Sequence, residues 1–158
     1  MKKGIISVLS ALAGIAVGAA AVGKTASAKS EKIQALSEKH LALFLMMNQW
    51  VKAKQEGKNL ASYFDKNGYR KIAIYGMSYA GETLLGELKG TGVQVAYAID
   101  RNASAIYADI DVLPLDSDLG DVDAVVVTAI TFFDELKEKL GKRLNCPVVS
   151  LENIVFEI

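Results

Sequence analysis

The chain has 158 residues, room for one domain and an appendage. Its 18 basic and 18 acidic residues cancel, and no basic stripe recurs along the candidate domain, which argues against a nucleic-acid partner. A single cysteine, Cys146, and a single histidine, His40, exclude an intrachain disulfide framework, a cysteine metal cluster and a multi-histidine site. No metal is therefore expected.

Ile5–Gly23 (IISVLSALAGIAVGAAAVG) carries no charge over about 19 residues, enough to span a bilayer as a helix. Lys2 and Lys3 precede it, and Lys24, Lys29 and Lys32 follow it. That distribution leans slightly toward a cytoplasmic C-terminal side. Besides a peripheral or buried helix, two outcomes follow. The chain is a single-pass membrane protein with its C-terminal domain in the cytoplasm, or it is exported after cleavage near Ala26-Ser27-Ala28, a small-residue pattern that suits a signal peptidase. We expect the anchor, because a phosphate-cradling fold follows and nucleotides are cytosolic. Ser10, Gly14 and Gly18 recur every four residues, a row that either only fills a weak membrane helix, the reading slightly preferred, or lets two such helices approach closely.

Ser30–Glu56 reads as one long connecting helix, with Ser30 as N-cap and Gly57 as its stop. Ile33, Leu36, His40, Leu43, Met47 and Trp50 alternate at three- and four-residue spacing, an a/d seam of about three heptads. Leu41, Phe44, Leu45 and Met46 broaden it. Such a face must be covered. The expected cover is a second copy, giving a homodimer through Ile33–Trp50; the alternatives are that the face folds onto the domain or lies at the membrane interface. Asn59–Lys66 reads as a short helix capped by Asn59 and stopped at Asn67-Gly68. The resulting layout is 1–29 anchor or signal peptide, 30–57 connecting helix and 58–158 α/β domain.

Within the domain, Ile72–Tyr75 is an apolar run of the buried parallel-strand type. A turn with Gly76 and Gly81 follows. Glu82–Lys89 then places Leu84, Leu85 and Leu88 at helical spacing, and Val93–Ile99 is a second strand ending at Asp100. This βαβ unit spans about 30 residues, the length a dinucleotide-binding fingerprint needs. The helix start offers unpaired amides and the positive end of its dipole to a phosphate. Gly76 permits the sharp turn and Gly81 close helix–strand packing. Ser78 stands where the fingerprint has its middle glycine. Asp100 is placed to accept from ribose hydroxyls, and Arg101 to meet a 2′-phosphate.

Further on, Ile110–Leu113 is a short candidate strand and Asp123–Thr128 (DAVVVT) the clearest strand of the chain. Thr131–Leu144 is a helix with a capping pattern at its start, and Pro147–Leu151 is a last strand before Ile154–Ile158. Strands alternating with helices predict an α/β fold, a small doubly wound parallel sheet of order 3-2-1-4-5. The order reverses between the first and fourth strands, so the ligand crevice is expected between the Gly76–Gly81 turn and the Thr128–Thr131 loop. The candidate binding set is Gly76, Met77, Ser78, Tyr79, Gly81, Asp100, Arg101 and Thr128.

Ile72–Gly81, Asp100 and Asp123–Thr128 together resemble the Rossmann-like modules of bacterial polysaccharide and nucleotide-sugar enzymes. The resemblance covers roughly Asn59–Ile158. It implies NAD, NADP or a nucleotide-sugar as ligand. With the preceding segments the chain also resembles small membrane-anchored bacterial proteins of unassigned function. The expected role is a regulatory module or accessory subunit in envelope polysaccharide metabolism. The alternative is a small NAD(P)-dependent oxidoreductase or epimerase whose substrate half comes from a partner. The chain lacks the Tyr-x-x-x-Lys pair of short-chain dehydrogenases, which favours binding over catalysis. Gly76-Met77-Ser78-Tyr79-Ala80 imitates the nucleophile elbow G-x-S-x-G, but its last glycine is Ala80 and no histidine follows the serine to act as base.

Overall fold

A computed structural model describes residues 29–158 of the chain. The Ile5–Gly23 run and the Gly14/Gly18 pair lie outside the described residues. Among the described residues, no helix is long and apolar enough to cross a membrane. The chain divides into two compact units, Met1–Leu41 and Ala42–Ile158. The described part of the first is helical, and Gln34 donates to Glu38 one turn on, at 2.9 Å. Helix α1 (Lys2–Gln55) already runs through Lys29 and Ser30, so Ser30 is not the cap expected of it. Nothing in the local sequence Ala26–Glu31 breaks a helix: it has neither proline nor glycine.

The second unit contains a five-stranded, wholly parallel sheet of order β3-β2-β1-β4-β5, as the strand–helix alternation predicts. The strands are β1 (Lys71–Tyr75), β2 (Gln94–Ile99), β3 (Val112–Leu113), β4 (Ala124–Val127) and β5 (Val148–Ser150). The helices are α2 (Ala61–Asn67), α3 (Tyr79–Leu88), α4 (Phe133–Gly141) and α5 (Leu151–Glu157). The α4 segment is shorter than the predicted 131–144 helix, because Ile130–Phe132 forms a tighter 3₁₀ turn before it. The tail after β5 is helical at once.

From β1 the chain crosses to β2 in one direction, and from β4 to β5 in the other. Right-handed crossovers in opposite directions put α3 and α4 on opposite faces. The core records this. Ile72, Ile74, Ala98, Ala124 and Val126 pack with Ala80, Leu84 and Leu88 of α3. Ala73, Tyr75, Tyr97, Ile99, Val125 and Val127 pack with Leu136 and Leu140 of α4. Both faces of β1 and β4 are thus dry, which explains why their sequences are continuous apolar runs rather than alternating ones.

The α3 face is completed by Leu60 and Phe64 of the α2 region, by Leu151, Ile154 and Val155 of α5, and by Met46 and Trp50 of α1. The compact unit therefore takes in α1 from Ala42 on, ahead of the boundary at residue 58 expected from sequence. Leu43, Met47 and Trp50, half of the a/d seam, pack on this core. Asn59 does cap the following turn: its Oδ1 accepts from Ala61 N at 2.8 Å. Gly68 closes α2 at φ +73°.

One polar group fastens three segments. Glu87, in the last turn of α3, has a side chain only 6% exposed. It accepts from Trp50 Nε1 at 2.5 Å and from Leu60 N at 2.8 Å, and Lys54 sits 3.2 Å away. Charge-assisted bonds in so dry a place are strong, and removal of the acceptor strands both donors.

Candidate functional site

The β1–α3 corner sits at the carboxyl edge of the sheet, beside β4, where the strand order reverses. Gly76 adopts φ +97°, a region closed to ordinary side chains. A Cβ there would lie 2.7 Å from Thr128 Oγ1. Gly81 comes nearer still: a Cβ would lie 2.2 Å from the carbonyl oxygen of Gly76, so α3 rests directly on the turn. Gly76 N donates to Ile99 O at 2.8 Å, which ties the turn to β2. These two glycines have the roles the sequence suggests for them, a sharp turn and close packing.

Ser78 is the N-cap of α3, extended at φ −88°, and its side chain makes no capping bond. It is exposed, and Tyr79 beside it is 89% exposed. The helix ladder begins with Glu82 N donating to Ser78 O at 3.0 Å. The amides before it have no acceptor within the helix ladder. Met77 points the other way. Its side chain is buried in the α3-face core, and only its amide belongs to the turn.

That amide is taken. Met77 N donates to Asp100 Oδ2 at 2.9 Å, and Asn102 N donates to Oδ1 of the same carboxylate at 2.9 Å. Asp100 thus braces the turn against the end of β2. The carboxylate keeps lone pairs free for further donors, since an ionised carboxylate accepts about four. Thr128 is 2% exposed, and its hydroxyl donates to Gly76 O at 2.7 Å and lies 3.1 Å from Tyr75 O. It shapes the corner from inside and has no surface to offer a ligand.

Arg101 is exposed and belongs to a separate recess on the α4 side, of about 160 Å³, with Tyr75, Ala129, Phe132, Glu135, Leu136 and Lys139. The structure therefore splits the candidate set. Gly76, Ser78, Tyr79 and Gly81 form the open corner; Met77, Asp100 and Thr128 form its support; Arg101 faces another hollow. Tyr75, Glu135 and Lys139 were not singled out from sequence. The available signal was Tyr75 itself, a polar-tipped aromatic at the carboxyl end of the central strand, where open α/β sheets place ligands.

Cys146 is half-buried, and burial pushes its thiol up, with Asp123 and Asp121 adding to the effect. A protonated thiol is a poor nucleophile. Among the described residues no three of His, Cys, Asp or Glu come together to hold a metal ion. No family model, curated protein or solved structure matches the chain.

Proposed function

We propose that this domain is a Rossmann-like nucleotide-binding module, taking the phosphates of NAD, NADP or a nucleotide-sugar on the Gly76–Gly81 corner. In this reading Ile5–Gly23 tethers it to the membrane with the domain in the cytoplasm. It serves as a regulatory or accessory subunit in envelope polysaccharide metabolism. The observation that carries the reading is the open first turn of α3. That turn starts where the strand order reverses, just after a glycine at φ +97°. The exposed Ser78 hydroxyl adds a donor at the same place. Asp100, braced against Met77 N, stands at the end of β2 with lone pairs for ribose hydroxyls.

Titration calorimetry of the full chain, held in a neutral detergent, with NAD, NADP and a UDP-sugar tests this. Saturable heat with at least one of them is expected. Ser78→Glu changes an exposed side chain and puts a fixed negative charge where the phosphate would sit. It should weaken that binding by about tenfold or more, roughly 1.4 kcal/mol. Absence of saturable heat with all three ligands, or equal binding by the variant, would remove the reading.

A further inference from the structure

The recess on the α4 side has a composition that the corner does not explain. Tyr75 is 7% exposed, at the end of the central strand, and lines this recess. Its hydroxyl has no hydrogen-bond partner among the described residues. The comparison with Tyr97 is direct: that phenol is equally buried, and it donates to Gly120 O at 2.7 Å. No sealed, unpartnered side-chain oxygen or nitrogen occurs among the described residues, so the Tyr75 hydroxyl reaches the open recess.

Two cations line the same recess. Lys139 on α4 is held by Glu135, one turn back, at 2.5 Å. Arg101, at the end of β2, joins from the other side. The floor is apolar, made by Ala129, Phe132 and Leu136. Arg101 and Lys139 against Glu135 leave one positive charge in excess. A neighbouring recess of about 430 Å³ between the start of α4 and α5 carries Asp134, Glu135 and Glu152, and is the opposite in sign.

We infer that the recess formed by Tyr75, Arg101 and Lys139 is a binding site for a phosphate monoester. Three donors of different shape, a phenol, a guanidinium fork and an ammonium, match the three terminal oxygens of such a group. The volume is below that of a drug-sized pocket, so the site takes one phosphoryl end of a ligand with a small apolar neighbour on Phe132 and Leu136. Glu135 orients Lys139 and at the same time opposes an incoming anion, so it sets the affinity low. The site does not depend on nucleotide binding at the Gly76–Gly81 corner, because its residues lie on the other side of β1.

The test is calorimetric titration of the full chain in neutral detergent with phenyl phosphate, and with benzoate and phenol as a carboxylate and an uncharged control. Saturable binding of phenyl phosphate is expected, with benzoate weaker and phenol silent. Arg101→Gln and Tyr75→Phe should each weaken phenyl phosphate by about fivefold or more, with unchanged melting temperature for the exposed Arg101. Glu135→Gln should tighten it several-fold, a gain that loss of a merely structural ion pair would not give. Equal affinity of wild type, Arg101→Gln and Glu135→Gln would overturn the assignment, as would absence of saturable heat in the wild type. Tighter binding of benzoate than of phenyl phosphate would overturn the phosphate choice.

Discussion

The two edges of the sheet are built to different ends. At the amino edge, Asp123 Oδ2 accepts from both Arg70 N and Lys71 N at 2.7 Å, and Asp123 N donates to Lys71 O at 2.7 Å. Arg70 is in turn bridged to Asp65 at 2.6 Å. These groups at the amino edge partner one another within the chain. At the carboxyl edge, Ser78 makes no capping bond, the first amides of α3 lack acceptors within the helix, and the Tyr75 hydroxyl has no partner among the described residues. One edge is closed for stability. The other keeps donors in reserve, and an edge with spare donors is where an anion can be bound without displacing anything.

The comparison breaks most violently at Gly81. The 2.2 Å approach to the Gly76 carbonyl is backbone against backbone, so nothing flexible can give way. Gly81→Val should cost about 3 kcal/mol or more, or abolish folding, read by thermal denaturation. A variant with wild-type melting would show that α3 does not rest on the turn. Next comes Glu87→Ala, which strands Trp50 Nε1 and Leu60 N in a nearly dry place. A loss of about 2–6 kcal/mol is expected in denaturant titration, at about 1–3 kcal/mol for each stranded donor. A loss under about 0.5 kcal/mol would mean that water serves both donors equally well.

The closed edge makes a pH prediction. The Lys71 amide, then the Arg70 amide, hold the Asp123 carboxyl below its ordinary range. A depressed carboxyl adds stability that is complete above the ordinary carboxylate pKa and is lost as pH falls through the lowered one. Asp123→Asn should therefore melt below the wild type at neutral pH, and the two curves should converge in acid. A difference that stays constant into acid would show that the charge is irrelevant. The smallest effect is expected at the open edge. Ser78→Gly touches an exposed residue with no capping bond, and should shift stability by less than about 0.7 kcal/mol. Its effect on ligand is the informative part: tighter binding of a dinucleotide if pyrophosphate approaches the backbone, weaker binding if the hydroxyl itself donates.

What the sequence made legible follows from local rules. The apolar runs at Ile72–Tyr75 and Asp123–Thr128, the glycine punctuation and the strand–helix alternation are enough for a parallel sheet and its order. Gly76 and Gly81 were readable because backbone geometry restricts residue type at such a corner. Other features were not readable because they are tertiary. Glu87 looks like any solvent-facing glutamate of a helix until α1 and α2 close over it. Tyr75 and Lys139 are far apart in sequence and meet only through the β4–α4 turn. The spacing that places Asp100 at the end of β2 does not show that its carboxylate also accepts from the Met77 amide. Leu43, Met47 and Trp50 fit a dimer seam and a domain-packing face equally well, since both need the same heptad pattern.

The central claim concerns the open corner, and backbone amide chemical shifts read it residue by residue. The measurement is a ¹H–¹⁵N correlation spectrum of the full chain in neutral detergent, recorded with increasing NAD, NADP or UDP-sugar. The account predicts saturable shifts at Ser78, Tyr79 and Ala80, with smaller ones at Met77 and Asn102 through Asp100, and none at the amino-edge amides of Arg70 and Lys71. Spectra in which the Ser78–Ala80 amides stay fixed while every nucleotide reaches millimolar concentration would contradict it.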